Sequence, residues 1–187
     1  MAHPSRLLPV ARLGLAGLLG LALVSPAAAQ ATQGRMKGLE LSNDQPIQIE
    51  SDKLEIRDAE SKATFSGNVK VVQGTTTLQA GDMTVFYKSG GASVSSGSAD
   101  IDRIEVRNRV FLQSGTQQAT ADSGLFNMTE QTLVLLGDKN KVVLSEGKNV
   151  FEGCRLNVNM ETGQARLEPC AGDRVKIQLD PKSRQKN

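Results

Sequence analysis

Histidine is almost absent from this 187-residue chain, and the single one, His3, lies in a leader that the sequence marks for removal. Without an imidazole, Ser-His-Asp and Cys-His catalysis and His-containing zinc sites are excluded. Cysteine is limited to Cys154 and Cys170, which leaves little for a thiolate metal site, and no glycine-rich phosphate loop opens a helix. Aromatic residues make up 3% of the chain. No sustained basic stripe interleaves with them, so nucleic acid is not expected as a partner. The only long apolar run, Leu13 to Val24, has 12 residues, short of the ~20 that a spanning helix needs. No catalytic residue, metal site or cofactor can be nominated. A carboxylate pair across a cleft, as in a glycosidase, is the one enzymatic chemistry left open.

Arg6 and Arg12, the apolar run and Ser25-Pro26-Ala27-Ala28-Ala29 before Gln30 have the layout of a secretory signal peptide over residues 1–29. The alternative is a retained inner-membrane anchor. No cysteine follows the small residues, so lipoprotein processing is not expected. Cleavage removes two of the 22 basic residues and none of the 20 acidic ones, and the net charge falls to zero. After the leader we expect a flexible segment over 30–42, one β domain over 43–180 and a disordered basic tail over 181–187.

What the chain does have is recurrence. Ser51-Asp52 followed by Gly67-Asn68-Val69 returns as Ala121-Asp122 followed by Gly137-Asp138 and Val142-Val143, with 15 residues from Asp to Gly in both copies. A unit this short cannot bury its own apolar face and needs stacked neighbours. Apolar residues alternate with polar ones in short runs broken by Gly, Asn, Asp and Ser, which predicts strands and turns. Examples are Ile47-Gln48-Ile49, Leu54-Glu55-Ile56, Phe65 to Val71, Met83 to Tyr87, Val110-Phe111-Leu112, Leu156-Asn157-Val158 and Val175 to Leu179. Ala80-Gly81-Asp82 reads as a corner, and Lys88 to Ser98, rich in Gly and Ser, as the longest loop. Gly67, Gly81, Gly137 and Gly153 suit corners. Asp52, Asp82 and Asp122 suit the capping of turn amides better than catalysis.

The expected fold is therefore all-β: a twisted, open β-jelly-roll or solenoid-like stack of antiparallel strands in two facing sheets. Cys154 and Cys170 are symmetric about Thr162. A hairpin centred there would oppose them in a disulfide, whereas a turn centred on Thr162-Gly163 would separate them. If the sheets splay, their apolar faces become a groove for acyl chains, and unpaired end strands can add to another copy, head to tail, or to another protein.

Gln45 to Asp52, Ala63 to Val71, Gln73-Gly74-Thr75 and Leu78 to Met83 resemble the opening of the OstA-like family, and the resemblance extends over about residues 43–180. It implies a periplasmic bridge carrying lipopolysaccharide from an inner-membrane export complex to an outer-membrane translocon, with the acyl chains of lipid A held between the sheets. It places Ile47 and Ile49 at the mouth of the lipid path and a mid-chain aromatic, matched best by Phe111, within it. Strand parity alone adds Phe65, Val69, Val71, Met83, Val85, Leu156 and Val158 as inward residues, for lipid or for ordinary core. Two other readings stay open: an envelope scaffold of the same fold without lipid, and an inner-membrane-anchored relative in the same pathway.

Overall fold

The computed structural model describes Leu41, residues 45–88 and residues 100–181. The leader over 1–29, most of the segment over 30–42, the Gly/Ser-rich loop apart from Lys88, and all of the tail except Pro181 lie outside the described residues. Leu41 is 3% exposed and packs into the core, so the segment expected to be flexible is anchored at that point.

The alternating pattern builds β1 (Gln48–Glu50), β2 (Lys53–Arg57), β3 (Lys62–Gln73), β4 (Thr76–Tyr87), β5 (Ile101–Ser114), β6 (Gln117–Asn127), β7 (Thr132–Leu136), β8 (Val142–Glu146), β9 (Asn149–Gly153), β10 (Arg155–Asn159), β11 (Ala165–Glu168) and β12 (Lys176–Gln178). One short 3-10 turn, Asp58–Glu60, joins β2 to β3. Every pairing is antiparallel.

The sheet branches. In one layer the order is β1-β3-β4-β5-β6-β8-β9-β12, and in the other it is β2-β3-β4-β5-β6-β7-β10-β11. The four long strands β3 to β6 belong to both layers because each bends in the middle. Ladder registers shift at those bends, between Ser66 and Val69, Gln79 and Asp82, and Arg107 and Val110. The bend in β3 uses left-handed backbone at Gly67 (φ 79°) and Asn68 (φ 47°), and the bend in β5 uses Asn108 (φ 65°) and Arg109 (φ 60°). Extra residues of this kind kink a strand and raise its local twist.

Two glycines expected at corners thus lie inside strands. Gly67 bends β3, and Gly81 lies in an unbroken β4, where a Cβ would come 2.7 Å from Cβ of Asn108. The Ala80-Gly81-Asp82 segment is a bend and not a corner, because the chain continues in the same strand; the extra residues lie in its neighbours β3 and β5. Gly137 and Gly153 do stand at strand ends.

Inward residues of both layers meet in one core. Val71, Leu78, Leu112, Ala119 and Leu144 come from the first layer, and Phe65, Met83, Ile104, Phe126, Leu133 and Leu156 from the second. Most of the hairpin turns along one lip are tight. Gly74-Thr75, Gly115-Thr116 and Gly147-Lys148 each place a positive-φ glycine first (56°, 56° and 59°), as a II′ turn requires.

Neither layer closes on itself. β1 and β2 end the stack on one side, and β11 and β12 end it on the other. Cross-strand partners share a face, so Leu54 opposite buried Phe65, and Ile56 opposite buried Ala63, project toward the interior. They are nonetheless 49% and 38% exposed. At the far end Ile177 and Leu179 are 58% and 55% exposed.

Cys154 and Cys170 form a disulfide with a Cα–Cα distance of 4.8 Å. The register is not the one that symmetry about Thr162 requires. Arg155 pairs with Glu168 and Val158 with Ala165, which puts Cys154 opposite Pro169. The bridge closes just past the end of β11, where the ladder no longer dictates the position of Cys170.

Candidate functional site

The candidate site is the interior between the two layers, together with its lips and ends. Phe65, Val69 and Val71 on β3, Met83 and Val85 on β4, and Leu156 and Val158 on β10 all face it, and each is buried. Ile47 and Ile49 are half-buried and pack against the same core, with Ile49 opposite Val71. Phe111 is set apart from these nine. Its neighbours Val110 and Leu112 point inward, so Phe111 lies half-buried on the outer face.

The lips differ in chemistry. Along the lip with the glycine turns, the last inward residue of each strand is polar. Gln73, Thr76, Ser114 and Gln117 are all buried and follow one another across the ladder. Gln73 donates from Nε2 to the Gln45 carbonyl at 2.9 Å, and Thr76 Oγ1 lies 3.2 Å from Ser114 Oγ. The opposite lip presents Tyr87, Met128 and Met160. The Tyr87 hydroxyl donates to Asp58 at 2.5 Å. Burial first, and this carboxylate second, push its pKa up to about 12. The polar row escaped the sequence reading because Gln73 and Thr76 beside Gly74-Thr75, and Ser114 and Gln117 beside Gly115-Thr116, look like ordinary turn flanks. Their inward parity was the available signal.

Outside the bends run open, polar grooves, one of them between Arg107, Arg109, Asp122 and Lys139. The three recurring aspartates stand along this spine. Asp52 accepts from the side chain of Asn68 at 2.8 Å, Asp82 from Asn108 at 2.5 Å, and Asp122 from Asn140 at 2.7 Å. Asp122 also accepts the backbone N–H groups of Lys139 and Asn140, and these bonds hold its pKa down at about 2. Each aspartate thus fastens one bend. The described residues contain no His/Cys/Asp/Glu cluster suited to a metal ion.

Comparison with known proteins adds relatives to this geometry. Residues 48–164 match the family described as LptA/(LptD N-terminal domain) LPS transport protein. An uncharacterized protein of Rhizobium meliloti is 70% identical over 95% of this chain and 94% of its own length. The LPS-assembly protein LptD of Vibrio cholerae is 33% identical over 58% of this chain, which corresponds to 14% of that protein. Among solved structures, LptH of Pseudomonas aeruginosa, described as the LptA-homologous periplasmic component of the lipopolysaccharide transport device, superposes with a TM-score of 0.60. It shares 18% identity, with 73% of this chain and 96% of that chain covered. That likeness carries the open jelly-roll fold.

Proposed function

The chain belongs to the LptA/(LptD N-terminal domain) LPS transport protein family, and on that premise we propose that it is a periplasmic, non-enzymatic carrier of lipopolysaccharide. In this reading it bridges an inner-membrane export complex and an outer-membrane translocon, holds the acyl chains of lipid A between its layers, and docks to both partners and to further copies by strand addition at its two ends. The observation that carries the reading is the pair of uncovered end layers. Inward apolar side chains continue to the last strands, where Leu54 and Ile56 on one side and Ile177 on the other meet solvent. A self-contained jelly-roll would cover these residues, since exposed apolar area costs roughly 25 cal/mol per Å². Continuity of the apolar face from end to end gives an acyl chain a path that neighbouring proteins can extend. The family's path supplies no energy source within this chain, so net transfer follows from partners and from differences in affinity.

A photo-crosslinker placed at Ile47 or Ile49 in living cells is expected to capture lipopolysaccharide. Failure at both positions and at every other inward position would sink the carrier reading. A second reading, an envelope scaffold without lipid, is favoured by one observation: most of the described inward residues between the ends are buried and pack in one core, with Ile101 and Phe151 only partly covered. It predicts no lipid adduct together with retained association through the end strands. Under the carrier reading the layers part to admit a guest.

A further inference from the structure

Gln117 is 6% exposed, and its Oε1 has no hydrogen-bond partner among the described residues. A buried acceptor left without a donor is costly and uncommon in native proteins. Its place in the fold is specific. Gln117 pairs with Ser114, Ser114 with Thr76, and Thr76 with Gln73, so the four form one inward row along the lip. At the first rung, Gln73 is occupied by the Gln45 carbonyl, and at the middle Thr76 and Ser114 bond each other. The row ends on an acceptor that no described residue fills. One step deeper, Val71, Leu78, Leu112, Ala119 and Leu144 form a parallel row that is wholly apolar. Across the interior, Met128 and Met160 have no group that could bond a polar head as strongly, and the Tyr87 hydroxyl is taken by Asp58.

Building on the carrier reading above, we infer that this polar lip reads the root of the guest's acyl chains, with Gln117 Oε1 accepting a hydrogen bond from an N–H or O–H at that root. The chemical class follows from the direction of the bond. An acceptor selects a donor, and the ester linkages of a diacyl phosphoglyceride offer none where the chains begin. An amide-linked or 3-hydroxylated acyl chain on an aminosugar offers both kinds. The lip therefore orients a glycolipid, with its sugar against the glycine turns and its tails toward the methionines. It disfavours ester phospholipids, which would leave Oε1 unpaired; a site with a buried polar group rejects a ligand that cannot pair with it.

The test uses purified protein loaded with a lipophilic dye and displaced by lipid A or by dipalmitoyl phosphatidylcholine. Gln117→Leu removes the acceptor at similar volume. It is expected to weaken displacement by lipid A about tenfold, to leave phosphatidylcholine unchanged, and not to lower the melting temperature, since an unpaired amide is exchanged for an apolar group. Gln117→Met, unbranched and of similar length, gives the same reading if leucine disturbs the strand. Unchanged displacement by lipid A in both variants would overturn the lip assignment and leave the carrier reading standing. Equal weakening for both lipids with a lower melting temperature would also overturn it, by making Gln117 a packing residue. If lipid A displaces no dye even from the unaltered protein, the carrier reading fails and the lip assignment fails with it.

Discussion

At Asp122 one carboxylate accepts the Asn140 side chain and two backbone N–H groups, and in doing so pins the turn between β7 and β8 to the bend of β6. The sign of its pH dependence follows. The folded pKa, about 2, lies below the ordinary value of 3.8, so the stabilisation is present above the ordinary value and is lost as pH falls toward 2. Asp122→Asn turns an NH2 group toward those N–H donors. We expect the variant to melt several degrees below the unaltered protein near neutral pH, with the gap closing as both approach pH 2. Thermal melts at a series of pH values check this; a gap that stays constant down to pH 2 would show that the charge of Asp122 is irrelevant to the bend. The aspartates could be read from the sequence as turn fasteners because they recur at fixed distances from glycine. Their asparagine partners could not, since Asn68, Asn108 and Asn140 are brought close only by strand pairing.

Among the elements, alternation located the strands well where both faces differ and the strand is straight, as at Val69-Val71 or Leu156-Val158, and poorly where a strand bends. A bend changes which residues point inward without interrupting the strand. In β4 the inward set passes from even numbers at Leu78 and Ala80 to odd numbers at Met83 and Val85, with Gly81 absorbing the change. From sequence alone, a glycine between two short apolar runs looks the same as a corner. Phe111 shows the opposite case: family likeness suggested an inward aromatic, while the unbroken alternation of Val110 and Leu112 decided its direction. The disulfide depended on a different element. It ties the residue just before β10 to the segment after β11, spans 16 residues, and closes a loop for which chain entropy gives about 3 kcal/mol. Replacing both cysteines by serine is expected to reduce unfolding free energy in urea by about 2–4 kcal/mol. Hydrogen exchange should rise first in β11 and β12, whose few contacts leave them most dependent on the bridge. Protection unchanged in those strands would mean that the end of the stack holds without its covalent tie.

For the molecule as a whole, the consequential feature is that its two ends are different surfaces. One carries Leu54 and Ile56, the other Ile177 and Leu179. An interface that joins unlike ends is heterologous and propagates, whereas one that joins like ends closes at a dimer. The proposed head-to-tail docking can therefore be separated from its alternative by mixing. Leu54→Lys spoils one end and Ile177→Lys the other. Both residues are substantially exposed, so each change should alter monomer stability by only about 0.5 kcal/mol. In the head-to-tail arrangement neither variant associates alone, because every contact needs one end of each kind. A 1:1 mixture regains a single good contact and stops at dimers, while the unaltered protein grows longer with concentration. Sedimentation velocity distinguishes these sizes. If the Ile177→Lys protein dimerises by itself, the ends marked by Leu54 pair with each other, and head-to-tail docking is overturned.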